Sequence, residues 1–323
     1  MSIIKVNQVS KEYKVHEQKK RTLGAIKSFI HPTIKHVQAL RDISFEINEG
    51  DFVGFIGENG AGKSTTIKIM SGILYPTSGE VMVNGVIPYM KRKENAMNIG
   101  VIFGQRSRLV WELPMMDSFE LYKELYRIES GIFKRNVDMF VDMLDMSSYY
   151  NTPIRQLSLG QRMRVEIALS MLHDPPIIYL DEPTIGLDVV AKKYIRDFFR
   201  ESNARGRTII LTSHDMKDLE TVVKRVILIT KGEILFDGTL ERLRETYAGD
   251  TTVEFTFSEI IEPEWAIQMA GHISPDGHKM TMTFDQQKQN LAEIIAKANE
   301  FNKITNFDIR VPDVEDIVRG ILS

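Results

Sequence analysis

The chain of 323 residues contains no cysteine, so disulfides, thiolate metal sites and thiol nucleophiles are excluded from its chemistry. No apolar run approaches the roughly twenty residues that span a bilayer, and no secretory leader is read at its start. An excess of charge of one sign is also lacking, with 41 Lys and Arg against 44 Asp and Glu. A net charge of −3 leaves no overall nucleic-acid footprint, and no nucleic-acid partner is expected. The length allows a substantial core plus a smaller appendage.

Against these absences stands a dense run, GENGAGKST: Gly57, Glu58, Asn59, Gly60, Ala61, Gly62, Lys63, Ser64 and Thr65. Phe52 to Ile56 before it reads as a buried strand and Thr65 to Met70 after it as a helix, the context that a P-loop requires. The glycines let consecutive N–H groups point at phosphate oxygens near a helix N-terminus, where the dipole favours negative charge. Lys63 is expected to reach the β/γ-phosphates and Ser64 to offer its hydroxyl to Mg²⁺. Further on, Pro176 to Leu180 is an apolar run ending in Asp181 and Glu182. This pattern fits a buried parallel strand whose C-terminal end meets the P-loop. Asp181 then suits the Mg²⁺ shell, and Glu182 suits orienting or deprotonating an attacking water.

LSLGQ, Leu157 to Gln161, precedes a helix-like stretch from Arg162 to His173. Ser158 and Gly160 sit where that helix begins, making a second phosphate-binding helix end in one chain. One nucleotide does not need two such ends from one subunit. Here the sequence resembles the nucleotide-binding subunits of ATP-binding cassette (ABC) transporters, whose signature motif is usually LSGGQ and lies shortly before the acidic strand. Leu159 replaces the first glycine of that pattern.

The resemblance covers roughly residues 1 to 245 and carries several expectations. The fold implied is α/β, a P-loop NTPase cassette with a RecA-like core, an antiparallel β-subdomain and a helical subdomain at about 111–165. Two copies pair head to tail, and the Ser158, Gly160 and Gln161 of one close over the ATP held by the P-loop of the other. Gln105 resembles the Q-loop glutamine that touches Mg²⁺ and water, and His214 the switch histidine at the γ-phosphate. Ile185 to Asp188 resembles the D-loop crossing the dimer interface, with Asp188 included in the nucleotide site. Tyr13 in VSKEY resembles the aromatic that stacks on adenine, although such a residue also serves as a core aromatic. ATP and Mg²⁺ are the implied cofactors. The implied partners are a second copy and separately encoded membrane subunits, with 106–116 as the contact region, on the cytoplasmic face of the membrane. Finer features, including 101–105, 159–164 and 183–190, look most like exporter-type cassettes of the multidrug or viologen-efflux kind. The alternative is a soluble ABC ATPase acting on ribosomes, DNA or a protein assembly. The long charged linker and sustained heptads of such proteins are not seen.

Outside the motifs, Phe119, Tyr122, Leu125 and Tyr126 form one helical stripe, and Val137, Phe140, Val141 and Leu144 another. An extra stretch, 14–38, carries Lys19, Lys20, Arg21, Lys27 and Lys35 against the single acid Glu17, with Leu23, Ile26 and Ile30 at helical spacing. It suits an anionic membrane surface and equally a short helix packed with a solvated basic face. After a linker at Tyr247 to Asp250, a domain covering 248–323 is expected. There Val253, Phe255 and Phe257 alternate with polar residues, as do Met280, Met282 and Phe284, and Phe307, Ile309 and Val311. Helical stretches between them imply a small α/β domain of the sandwich kind without a catalytic cluster.

Overall fold

The computed structural model describes residues 1–16, 34–104, 107–213, 216–247, 251–269, 271–285, 288–310 and 312–322. The chain divides into two compact units, Met1–Thr239 and Leu240–Ser323.

In the first unit, β1 (Ser2–His16) and β2 (Ile34–Asn48) form a long antiparallel hairpin, followed by β3 (Phe52–Ile56), α1 (Lys63–Met70) and β4 (Ser78–Val83). Next come α2 (Arg92–Asn98), β5 (Ile99–Phe103), α3 (Met115–Tyr126), α4 (Ser130–Met143) and α5 (Leu159–Met171). The unit closes with β6 (Ile177–Asp181), α6 (Val189–Ala204), β7 (Thr208–Thr212), α7 (Met216–Glu220), β8 (Arg225–Thr230) and β9 (Glu233–Thr239).

The strands of this unit build two sheets. One has the order β5-β6-β7-β3-β8-β9 and is parallel except for β9, which runs antiparallel to β8. β3 and β7 are buried at every position. A parallel sheet covered on both faces selects such continuous apolar runs over alternation. The other sheet, β2-β1-β4, is antiparallel, and bulges interrupt the β1–β2 register. Those bulges break the period-2 pattern, which hides the true length of the hairpin in the sequence. Lys14 and Lys35 belong to its strands; the remainder of the basic stretch, 17–33, with its helical spacing, lies outside the described residues.

The helical portion packs Phe119 of α3 and Phe133, Val137 and Phe140 of α4, all buried. The Asn136 side chain donates to Leu172 O at 2.9 Å, tying α4 to the end of α5. Just beyond, the His173 ring stacks on Tyr126 with centroids 4.1 Å apart, and its Nε2 bonds Ile99 O at 3.1 Å.

The second unit runs α8 (Leu240–Tyr247), β10 (Thr251–Phe257), α9 (Pro263–Gln268), β11 (His272–Ile273), β12 (Lys279–Phe284), α10 (Leu291–Phe301), β13 (Ile304–Arg310) and α11 (Val314–Leu322). From β10 to β13 this is a βαββαβ succession folded into one antiparallel sheet of order β11-β12-β10-β13, the ferredoxin-like arrangement. It is a single sheet, not the sandwich that three alternating segments suggested. Val253, Phe255 and Phe257 join Met280, Met282 and Phe284 in a core closed by Trp265, Ile294 and Ala298. Helix α8 packs against α11 and therefore falls with this unit.

Burial pushes the His173 imidazole down to about 4, with the nearby Arg108 charge acting in the same direction. Unfolded chains then bind a proton near the ordinary value of about 6.5 that the native state refuses. Native stability should fall as pH drops from about 6.5 toward 4. Urea midpoints at pH 7 and pH 5 check this: the drop should shrink in His173→Phe, which keeps a ring against Tyr126 and removes the titration.

Candidate functional site

The parallel register fixes where the chemistry gathers. Phe103 pairs with Asp181, Asp181 with Thr212, and Thr212 with Phe55, so four strands end on one row. β3 then turns into the P-loop and enters α1 at Lys63. Two glycines make that turn sterically feasible. A Cβ at Gly57, where φ is 149°, would lie 2.0 Å from Ile229 O, and one at Gly62, where φ is 118°, would lie 2.6 Å from Leu40 Cδ2.

Lys63 is buried and donates from Nζ to Gly57 O and, at 3.0 Å, to Glu58 O. Its ammonium bridges the loop from within, and burial lowers its pKa below the ordinary lysine range, opposed by the negative charges of Glu182, Asp181 and Glu58. Ala61 is also buried, its N–H donating to Glu58 O at 3.1 Å. Ser64 Oγ donates to Asp181 Oδ1 at 2.9 Å, and Thr212 Oγ1 donates to the same oxygen at 2.8 Å. Glu182 takes the left-handed φ of 57°, costly for a residue with a Cβ. Its N–H is held by Thr212 Oγ1 at 3.1 Å and Thr212 O at 3.2 Å. Gly104 seals the other side, since a Cβ there would meet Glu182 O at 2.4 Å. Thr212 thus orients both acids, a role its place at the end of an apolar strand does not announce.

Tyr13, Glu58, Asn59, Gly60, Gly62, Lys63, Ser64, Thr65, Asp181 and Glu182 line one cleft of about 890 Å³. The cleft combines an aromatic wall with a lysine, loop amides and a helix N-terminus, features that receive a base at one end and a polyphosphate at the other. Gln105 and His214 lie outside the described residues. Among the described residues no group of three or more His, Cys, Asp or Glu could hold a metal ion.

Ser158, Gly160, Gln161 and Asp188 form a separate cluster and do not line the cleft. Ser158 caps α5 in a reciprocal box: Gln161 N–H donates to Ser158 Oγ at 3.2 Å, and Ser158 N–H donates to Gln161 Oε1 at 2.9 Å. Asp188 caps α6 through Ala191 N–H at 2.8 Å. A Cβ on Gly160 would come within 2.8 Å of the Ala191 Cβ. Glycine therefore lets the two helix starts lie side by side.

These features define a P-loop nucleotide-binding cassette. A sequence model of the ABC transporter family matches residues 40–185. The chain is 34% identical over 212 residues to the ABC transporter ATP-binding protein NatA of Bacillus subtilis, covering 66% of this chain and 86% of that one. It is 32% identical over 243 residues to the teichoic acids export ATP-binding protein TagH of Listeria monocytogenes, covering 74% of this chain and 68% of that one. Among solved structures, a dimeric post-hydrolysis state of the ATP-binding cassette MJ0796 with ADP and Pi superposes with a TM-score of 0.62 at 27% identity, covering 73% of this chain and 98% of that one. The chain belongs to the ATP-binding subunits of ABC transporters and is an ATPase.

Two substitutions separate the functions within the cleft. Lys63→Ala should weaken nucleotide binding about tenfold or more, because a cation facing phosphate is lost. Thr212→Val should leave binding intact and lower turnover by about tenfold, the size of one or two lost hydrogen bonds. Fluorescent nucleotide titration beside steady-state phosphate release distinguishes them.

Proposed function

We propose that two copies of this chain close head to tail around two ATP molecules, and that hydrolysis resets a pair of separately encoded membrane subunits at the cytoplasmic face of the membrane. The observation that carries this reading is the separation of the two clusters. The cleft supplies one face for a nucleotide, while the capped start of α5 lies outside the cleft lining. Around that cap stand apolar side chains open to solvent: Leu159, Val189 and Val190, the last two 78% and 65% exposed. Apolar groups beside a helix N-terminus suit a protein interface better than water.

Within each site Lys63 neutralises phosphate oxygens, Tyr13 stacks on the base, and Glu182, held by Thr212, takes the proton of the attacking water. Ser64 and Asp181 fit Mg²⁺, since their oxygens already meet at 2.9 Å and this ion is commonly held by one or two protein oxygens with waters and substrate phosphates. The ion would neutralise charge developing on the phosphates. Gln105 and His214 are assigned to metal and γ-phosphate contact from the sequence motifs. Among the described residues no helix is long and apolar enough to cross a membrane, which fits peripheral attachment through partner subunits. Export is the preferred direction, on the exporter-like motif runs and the export role of the teichoic acids relative.

Glu182→Gln tests the reading. The amide keeps the shape and cannot accept the proton, so turnover should fall by roughly 10²- to 10⁴-fold while ATP stays bound. Light scattering should then record an ATP-dependent doubling of mass. Parental turnover, or a monomer at saturating ATP and Mg²⁺ in low and high salt alike, would count against it.

A further inference from the structure

Glu166 sits midway along α5, the helix that begins at Ser158, and is only 5% exposed. A buried carboxylate is retained only when its charge is partnered, and the partners of this one belong to a single short segment. Its Oε1 accepts from Ser107 Oγ and, at 2.7 Å, from Arg108 N–H, while its Oε2 faces Arg108 Nε at 3.7 Å. Ser107 Oγ also accepts from Leu109 N–H at 3.2 Å. The Arg108 charge also lies near Tyr122 of α3, whose ring stacks on Tyr126 and through it on His173.

The start of β5 is fastened to the same helix region. His173 bonds Ile99 O, and the backbone approaches so closely that a Cβ on Gly100 would lie 2.8 Å from Ser170 O. Thus β5 is held at its beginning by the end of α5, and residues 107–108 are held by the middle of α5. Between these two holds lie Phe103 and Gly104, which line the cleft.

We propose that Glu166 is a positioning residue, locking residues 107–108 to α5 so that a displacement of Ser158 by the nucleotide on a second copy is delivered to the subunit's own cleft, which Phe103 and Gly104 line. The proposal rests on the shared-nucleotide reading above. It makes one rigid lever of the elements serving the two half-sites of a single subunit. A charged carboxylate clamps the backbone N–H, the hydroxyl and the guanidinium of consecutive residues at once. An amide at this position keeps its volume but loses the charge-assisted contacts. Binding of ATP to one copy involves none of these groups, so the clamp acts on turnover and on communication between sites.

The test compares the full-length parent with Glu166→Gln, Ser107→Ala and the double variant, measuring ATP turnover, its Hill coefficient, and ATP-dependent dimerisation in a Glu182→Gln background. Glu166→Gln should lower kcat by about tenfold, keep KM within about twofold and bring the Hill coefficient toward one, with dimerisation retained. Ser107→Ala should move the same way by less, and the double variant should be no worse than Glu166→Gln alone, as for groups in one network. Ser107→Ala leaves the Glu166–Arg108 pair in place and carries the test if Glu166→Gln does not fold. Parental kcat and Hill coefficient in the folded variants overturn the clamp, as does a lowered melting temperature with unchanged turnover per bound ATP. Absence of ATP-dependent dimerisation in the Glu182→Gln background overturns the shared-nucleotide reading, and the clamp with it.

Discussion

Four strand ends in one hydrogen-bonded row, Phe103, Asp181, Thr212 and Phe55, are what the cassette is arranged around. Parallel pairing with this register delivers the P-loop, both acids and the start of the loop after β5 to one edge of the sheet. Shift β6 by one residue and Asp181 would point to the opposite face, away from Ser64. The continuous burial of β3 and β7 therefore also has a chemical consequence: it holds the row in place. Asp181 accepts from Ser64 and Thr212 at one oxygen, and Thr212 in turn sets the backbone of Glu182. The acids are oriented before any nucleotide arrives, the preorganisation on which electrostatic catalysis depends.

The same economy extends to the second cluster. Ser158 and Asp188 cap adjacent helices whose starts can touch only because Gly160 has no side chain. Leu159 has a methyl group 3.3 Å from where a Cβ on Gly186 would lie, so the leucine that departs from the family signature reaches toward the turn before Asp188. The departure leaves the cap intact: Ser158 and Gln161 still satisfy each other's backbone groups. What changes is the surface presented, which becomes more apolar.

Much of this was legible in the sequence where residue type alone carries the chemistry. The P-loop is readable because glycine, lysine and serine at fixed spacing have few other uses, and Asp181–Glu182 because two acids rarely end a buried strand without cause. Alternation at Val253, Phe255 and Phe257 announced a strand with one buried face, as found. The rest depends on partners distant in the chain. Thr212 looks like an ordinary strand residue until Asp181 is placed beside it, and Glu166 like a charged helix residue until Ser107 and Arg108 cover it. The β1–β2 hairpin leaves no clean alternation in the sequence because bulges interrupt its register. Strand β11 of the second unit was missed because it is two residues long, too short to leave a pattern.

The central claim is that a nucleotide is shared between the P-loop of one copy and the α5 start of another. Because the chain has no cysteine, single thiols report on that contact without background. Asn59→Cys and Leu159→Cys chains, mixed in a Glu182→Gln background and oxidised with and without Mg²⁺-ATP, test it most directly. The account predicts a cross-linked heterodimer that forms rapidly with ATP and slowly without it, and no comparable product from either single variant alone. Equal cross-linking with and without nucleotide, or none in the mixture at saturating ATP, would contradict it.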